Sequence, residues 1–161
     1  VLTFKSNGTI FTLRTAAVII NDESILLHRA GSNDFWSLPG GRINAMESSE
    51  EALLREMREE LQVDIQVSRL LWLVEHFYRD NSTLNHEVGF YYLGNLPKTS
   101  DLLDTLRIYE AQDGDTTLKF RWHSLKTLSS ITLYPVFLKT ALLSIPQKPE
   151  FIIFRDPSLK T

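Results

Sequence analysis

A chain of 161 residues, 43% hydrophobic and 23% charged, has the length and composition of one globular domain spanning residues 1–161 with a buried core. It has no cysteine, which excludes disulfides, thiolate nucleophiles and cysteine-ligated zinc, and suits a reducing, cytoplasmic setting. The net charge of −3 lacks the basic excess of a nucleic-acid surface, and no apolar run reaches the roughly 18 residues of a membrane span. No signal peptide is expected, but the chain opens on Val1 rather than Met, which leaves residues ahead of it open.

The first third reads as β-structure. Thr9 to Ile20 is rich in β-branched and aromatic residues, and Asn21-Asp22-Glu23-Ser24 supplies a turn before Ile25-Leu26-Leu27. A loop at Gly31 to Asp34 leads to Phe35-Trp36-Ser37-Leu38 and the breaker Pro39-Gly40-Gly41. Ser48 followed three residues later by Glu51 predicts a capping box, and Leu53, Leu54, Met57 and Leu61 recur at helical spacing. Strand character returns from Val63 to Leu96 around a turn at Asp80-Asn81-Ser82. A short helix is expected within Asp101 to Gln112, a loop at Asp113 to Asp115 and a strand over Leu118 to His123. Tyr134 to Ile145 reads as a second full helix, and Phe151 to Phe154 as a last strand or docking tail. This order points to an α/β fold with a mixed β-sheet between helices.

At 100° per residue, Glu56, Glu59 and Glu60 share an arc of about 100° beside the apolar stripe. Neighbouring like charges on such an arc repel by about 0.7 kcal/mol in water and about 3 at an effective dielectric of 20. A hard divalent ion, Mg²⁺ or Mn²⁺, bound by these oxygens reverses that sign. The plain alternative is a solvated helix face, with Glu51 four residues before Arg55 as an ordinary ion pair. The residues ahead of the helix weigh against it. Gly40-Gly41 and then Glu47 fold a loop back to the helix start, where Glu47 meets Arg55.

Gly41, Glu47, Arg55-Glu56-Met57-Arg58-Glu59-Glu60 and Val63 together resemble the signature box of the Nudix (MutT-like) hydrolases, Gly-x5-Glu-x7-Arg-Glu-U-x-Glu-Glu-x-Gly-U with U a bulky aliphatic residue. Eight of its nine specified positions stand at residues 41–63. The departure is Gln62 in place of the second glycine, at a cost of about 1 kcal/mol if the residue must be left-handed. Met46 also replaces a glycine common before the first glutamate. The resemblance implies a Nudix-type α/β/α sandwich and hydrolysis of a phosphoanhydride in a nucleoside diphosphate linked to another group. It implies Mg²⁺ or Mn²⁺ on Glu56, Glu59 and Glu60, with Arg55 orienting Glu56 and Glu47 and the catalytic base unassigned among the carboxylates.

Outside the box, Glu87 is the candidate for a further metal carboxylate, as a charge within an apolar strand. Glu110, Asp113 and Asp115 are the lesser candidates, placed in a loop. Arg29 is a candidate for phosphate, and Trp36, Phe77 and Tyr78 for stacking on a base, against the plain reading of core aromatics and a surface arginine. The histidines are too scattered for zinc and read as structural or exposed. The expected partner is a small nucleotide, with no membrane and no dedicated nucleic-acid surface. Two other functions stand beside hydrolysis: a nucleotide-sensing or protein-binding module without turnover, and removal of a 5′ diphosphate from RNA. The apolar tail Phe151 to Phe154 either pairs across a homodimer or covers the chain's own core.

Overall fold

The computed structural model describes residues 1–160. The expected hairpin forms from β2 (Thr9–Asn21) and β3 (Ser24–Ala30), with β1 (Thr3–Ser6) folded back on the start of β2. Then follow β4 (Gly40–Arg42) and helix α1 (Ser49–Leu61), and the long hairpin of β5 (Gln66–Asp80) and β6 (Thr83–Asn95). The chain continues through β7 (Ile108–Asp113), β8 (Thr116–Ser124), α2 (Leu138–Ala141) and β9 (Glu150–Arg155). Strand order is β7-β8-β3-β2-β6-β5-β9, with β1 and β4 also on β2. The sheet is mixed because β2 runs parallel to β6 and β9 parallel to β5.

β2 is the organising strand. Its run Ala16-Ala17-Val18-Ile19 is apolar without a break because both faces are buried. Ala17 and Ile19 pack with Leu26, Phe120 and the α1 residues Leu53 and Met57. Ala16 and Val18 face the other way, onto Trp72, Val74, Leu133, Leu138 and Leu142. Leu53 and Met57 are fully buried, and each contributes roughly 1.5–3 kcal/mol of burial that holds α1 on the sheet. The α/β layering predicted from the pattern of elements is what forms.

Three local expectations are corrected. Tyr134 to Ile145 is not a full helix: only Leu138–Ala141 is α-helical. Pro135 and Val136 open the segment, and Leu138, Lys139 and Thr140 donate to carbonyls three residues back, as do Leu143 and Ser144. The apolar face survives, wound more tightly. The short helix expected after Asp101 is a single 3₁₀ turn, Asp101–Leu103. Glu110 and Asp113 lie in β7 rather than a loop, because cross-strand pairing with β8 at Lys119 and Thr116 claims their backbone. The tail residues Phe151 to Phe154 form β9 on the chain's own β5, with Ile152 on the core and Phe151 and Ile153 exposed at the edge.

Candidate active site

The site begins at two glycines. β4 pairs antiparallel with β2, Gly41 opposite Thr15 and Gly40 opposite Ala16. At Gly40, φ is +141° and an added Cβ would stand 2.3 Å from the Thr15 carbonyl oxygen. A Cβ on Gly41 would stand 2.3 Å from the carboxyl carbon of Glu56. The missing side chain at Gly41 is thus the space that the Glu56 carboxylate occupies.

Helix α1 starts on the capping box. Ser48 accepts from the Glu51 amide and the Glu51 carboxylate accepts from the Ser48 amide at 2.9 Å. It ends at Gln62 in the left-handed region, φ +54°, where the amide bonds back to Arg58. Between these caps, Arg55 uses every donor of its guanidinium. Nε and Nη2 donate to the two oxygens of Glu47 at 2.7 and 3.0 Å. Nη1 donates to Glu56 at 2.6 Å and Glu59 at 3.2 Å, and Nη2 also to the Arg42 carbonyl at 3.0 Å. Glu47 in turn accepts from the Asn44 amide at 2.9 Å. The hydrogen bonds from Arg55 hold the Glu47 carboxyl below its ordinary pKa.

Glu60 stands apart from this network. Its side chain is 8% exposed, the neutral His28 ring stands 3.9 Å away, and its buried Oε2 has no hydrogen-bond partner. Burial first, then the neighbouring Glu56, pushes its carboxyl up to about 8, against the pull of Arg14. Burial and the nearby Arg14 take His28 down to about 3, so it is neutral at pH 7. Among the described residues, no three acidic or histidine side chains already converge at metal-ligand spacing. Glu56, Glu59 and Glu60 nonetheless present hard oxygen donors on one helix, and the unpartnered Glu60 oxygen is the kind of atom a cation satisfies.

Beside Arg14 on the sheet face away from α1 lies a cleft of about 450 Å³. Glu87 lines it and is buried, 9% exposed. Burial pushes its carboxyl up, with Arg14 and then Arg42 pulling it back. Tyr78 lines it too, stacked on His76 at 4.6 Å, and burial holds its hydroxyl up at about 12. Arg29 and Trp36 are not among the lining residues: the Arg29 guanidinium lies over the Trp36 ring at 4.9 Å, and that ring meets His123 edge-on. The chain alternates in the loop ahead of β4, so Phe35 lines the cleft where Trp36 was expected, with Tyr134 edge-on at 5.3 Å. Phe77 is likewise absent from the lining, stacked on His86 at 4.3 Å.

Arg14, His76, Phe35 and Tyr134 are among the cleft residues that sequence reasoning passed over, as are Arg79, Asp80, Tyr91 and Asp156. Arg14 had a signal: it is a lone charge within the apolar run of β2, the same reasoning that singled out Glu87 in β6.

The family model described as the NUDIX domain matches residues 11–140 of this chain. The chain belongs to the NUDIX family. Over 63 residues it is 38% identical to a protein of Proteus vulgaris named 8-oxo-dGTP diphosphatase, a match over 39% of this chain and 54% of that one. The match thus spans about half the length of that curated relative. An ADP-ribose pyrophosphatase from Streptococcus suis has a similar structure, with TM-score 0.58 and 22% identity over 89% of this chain and 98% of that one. The MutT protein of Bacillus halodurans gives 0.59 and 18% over 89% and 90%. At these identities the likeness is one of fold, and it agrees with the NUDIX-type α/β architecture of this chain.

Proposed function

We propose that this NUDIX protein hydrolyses a phosphoanhydride bond in a nucleoside diphosphate linked to another group, with a divalent metal. The observation that carries the proposal is the buried, unpartnered Glu60 oxygen, beside a Glu56 carboxylate seated in the space left by Gly41. A helix face built for solvation has no reason to bury one carboxylate without a partner and to reserve a glycine for another.

In this reading Glu56, Glu59 and Glu60 hold Mg²⁺ or Mn²⁺, and Glu87 adds a carboxylate from the cleft side. A hard ion bound there neutralises phosphate oxygen charge and makes water a stronger acid. Arg55 acts as a positioning residue: its bonds to Glu47, Glu56 and Glu59 fix carboxylates that would otherwise repel one another. Glu59 is 62% exposed, so its rotamer adjusts at little cost. Glu60, whose carboxyl burial pushes up to about 8, would bind such an ion as its carboxylate. The nucleoside portion occupies the cleft, where Tyr78 and the Phe35–Tyr134 pair offer aromatic surface. The domain is taken as the whole of residues 1–161. A homodimer through the outer edge of β9 is a further proposal for light scattering.

A substrate panel tests this: modified nucleoside triphosphates first, given the relative from Proteus vulgaris, then ADP-ribose, nucleotide sugars, dinucleoside polyphosphates and capped RNA, each with Mg²⁺ and with Mn²⁺. Hydrolysis of at least one small nucleotide, abolished by EDTA, is expected. Tight nucleotide binding with no phosphate release from any of them would replace the enzyme by a sensing module.

A further inference from the structure

We infer that Arg14 and Arg42 together form an anion-binding clamp at the mouth of the cleft, which takes the diphosphate of the substrate. The two are direct register partners across the antiparallel β2–β4 pair, so their side chains leave the same face of the sheet. Like charges placed directly opposite in a sheet destabilise it unless an opposite charge lies between them. Most other arginines have a partner: Arg55 in Glu47, Glu56 and Glu59, Arg58 in Asp64, Arg69 in the Pro146 carbonyl, and Arg29, Arg107 and Arg155 in aromatic rings, whereas Arg79 keeps a buried Nε without one. Among the described residues, neither the Arg14 nor the Arg42 guanidinium makes a hydrogen bond or an ion pair within 4 Å.

Three further observations fix where the pair points. Arg14 lines the cleft, and its β6 partner is Gly89, which puts Glu87 on the same sheet face two residues away. Arg42 is exposed and outside the cleft lining, but its register with Arg14 puts it on the same face, and the charges of both are felt at Glu87 and Tyr78. The Arg14 charge is also felt at Glu60 of the acidic helix. One buried carboxylate, Glu87, shares this face with the two guanidiniums, and neither guanidinium is paired with it within 4 Å, while Asp80 and Asp156 lie elsewhere in the cleft lining with Arg79. Bidentate donors at a site flanked by Glu60 on one side and an aromatic cleft on the other fit a diphosphate, whose two groups each accept paired N–H bonds.

The ligand class rests on the hydrolase reading above; the clamp itself is tested without turnover. Binding of inorganic pyrophosphate in EDTA at low ionic strength is measured by calorimetry for the full chain and for Arg14→Gln, Arg42→Gln and Arg14→Lys. Lys126→Gln, an exposed cation paired with Glu23, controls for net charge. Each glutamine variant is expected to weaken pyrophosphate binding at least about tenfold, with Arg14→Lys recovering part of the loss. The melting temperature of anion-free Arg42→Gln is expected to rise, because the repulsion across β2–β4 is gone, an effect that a merely structural arginine would not give. Wild-type protein that binds no pyrophosphate, or variants that bind it as wild type does, would overturn the clamp whatever the hydrolysis panel shows. Binding lost in the variants while the wild type hydrolyses nothing would keep the clamp and overturn the hydrolase reading.

Discussion

Gly41 and Glu56 share one volume: a Cβ on the first would stand 2.3 Å from the carboxyl carbon of the second. The clash falls on the far end of a flexible side chain, so the fold tolerates it and the carboxylate moves. Gly41→Ala is therefore expected to cut kcat about 100-fold while shifting Tm by no more than about 3 °C. At Gly40 the clash falls on the Thr15 backbone and φ is +141°. Gly40→Ala is expected to cost about 3 kcal/mol or more, a fall in Tm of roughly 6–12 °C, readable by calorimetry.

Arg55 makes five hydrogen bonds, and no single ammonium can replace them. Arg55→Lys keeps the charge but gives up the fork to Glu47. Steady-state kinetics should show kcat down by about tenfold or more, with Tm lower by roughly 2–6 °C. Unchanged kcat with lowered Tm would make Arg55 a purely structural tie.

Two opposing groups of residues shape stability against pH. Burial takes His76 and His123 down to about 4 and His28 to about 3 from 6.5, so below pH 6.5 the unfolded chain gains protons the native state refuses. Stability is lost as pH falls through that window. Glu60 is raised from 4.5 to about 8 and Glu87 is raised as well, so the native state keeps protons the unfolded chain has released. Their contribution is complete below pH 4.5 and is lost as pH rises to 8. Metal-free protein should melt highest near pH 6.5 and lose Tm between pH 6.5 and 8. Glu60→Gln should remove most of the alkaline decline, measured by differential scanning calorimetry in EDTA, and Mg²⁺ or Mn²⁺ should offset it in the wild type.

Gln62 and Met46 sit at φ +54° and +66°, where a side chain costs about 1 kcal/mol. Both are exposed, so no packing opposes replacement. Gln62→Gly and Met46→Gly should each raise Tm by roughly 2–4 °C, and the pair should add, as the sites are independent. A fall in Tm at either position would mean that the side chain holds the loop.

Local features were legible and assembled ones were not. The capping box, the apolar stripe and the Glu47–Arg55 pairing all lie within residues 41–63, where spacing along the chain is spacing on one helix and its entry loop. The left-handed Gln62 followed from the glycine it replaces. The cleft is different: Arg14 and Glu87 share one face because β2 pairs in parallel with β6, a register no local pattern encodes. Phe35 was passed over for its neighbour Trp36 because a loop's alternation is set by where β4 docks. Tyr134 to Ile145 shows the limit of periodicity, since an apolar stripe fits a tight 3₁₀ path almost as well as an α-helix.

Buried Glu60, with Glu56 and Glu59, is proposed to hold the catalytic metal. The direct measurement is kcat of wild type against Glu59→Gln and Glu60→Gln on the best substrate of the panel, in saturating Mg²⁺ or Mn²⁺. Both substitutions conserve shape and remove charge. Each is expected to lower kcat at least about 100-fold, roughly 2.7 kcal/mol of barrier, in protein that stays folded. Full activity in both variants would mean that these carboxylates hold no catalytic metal.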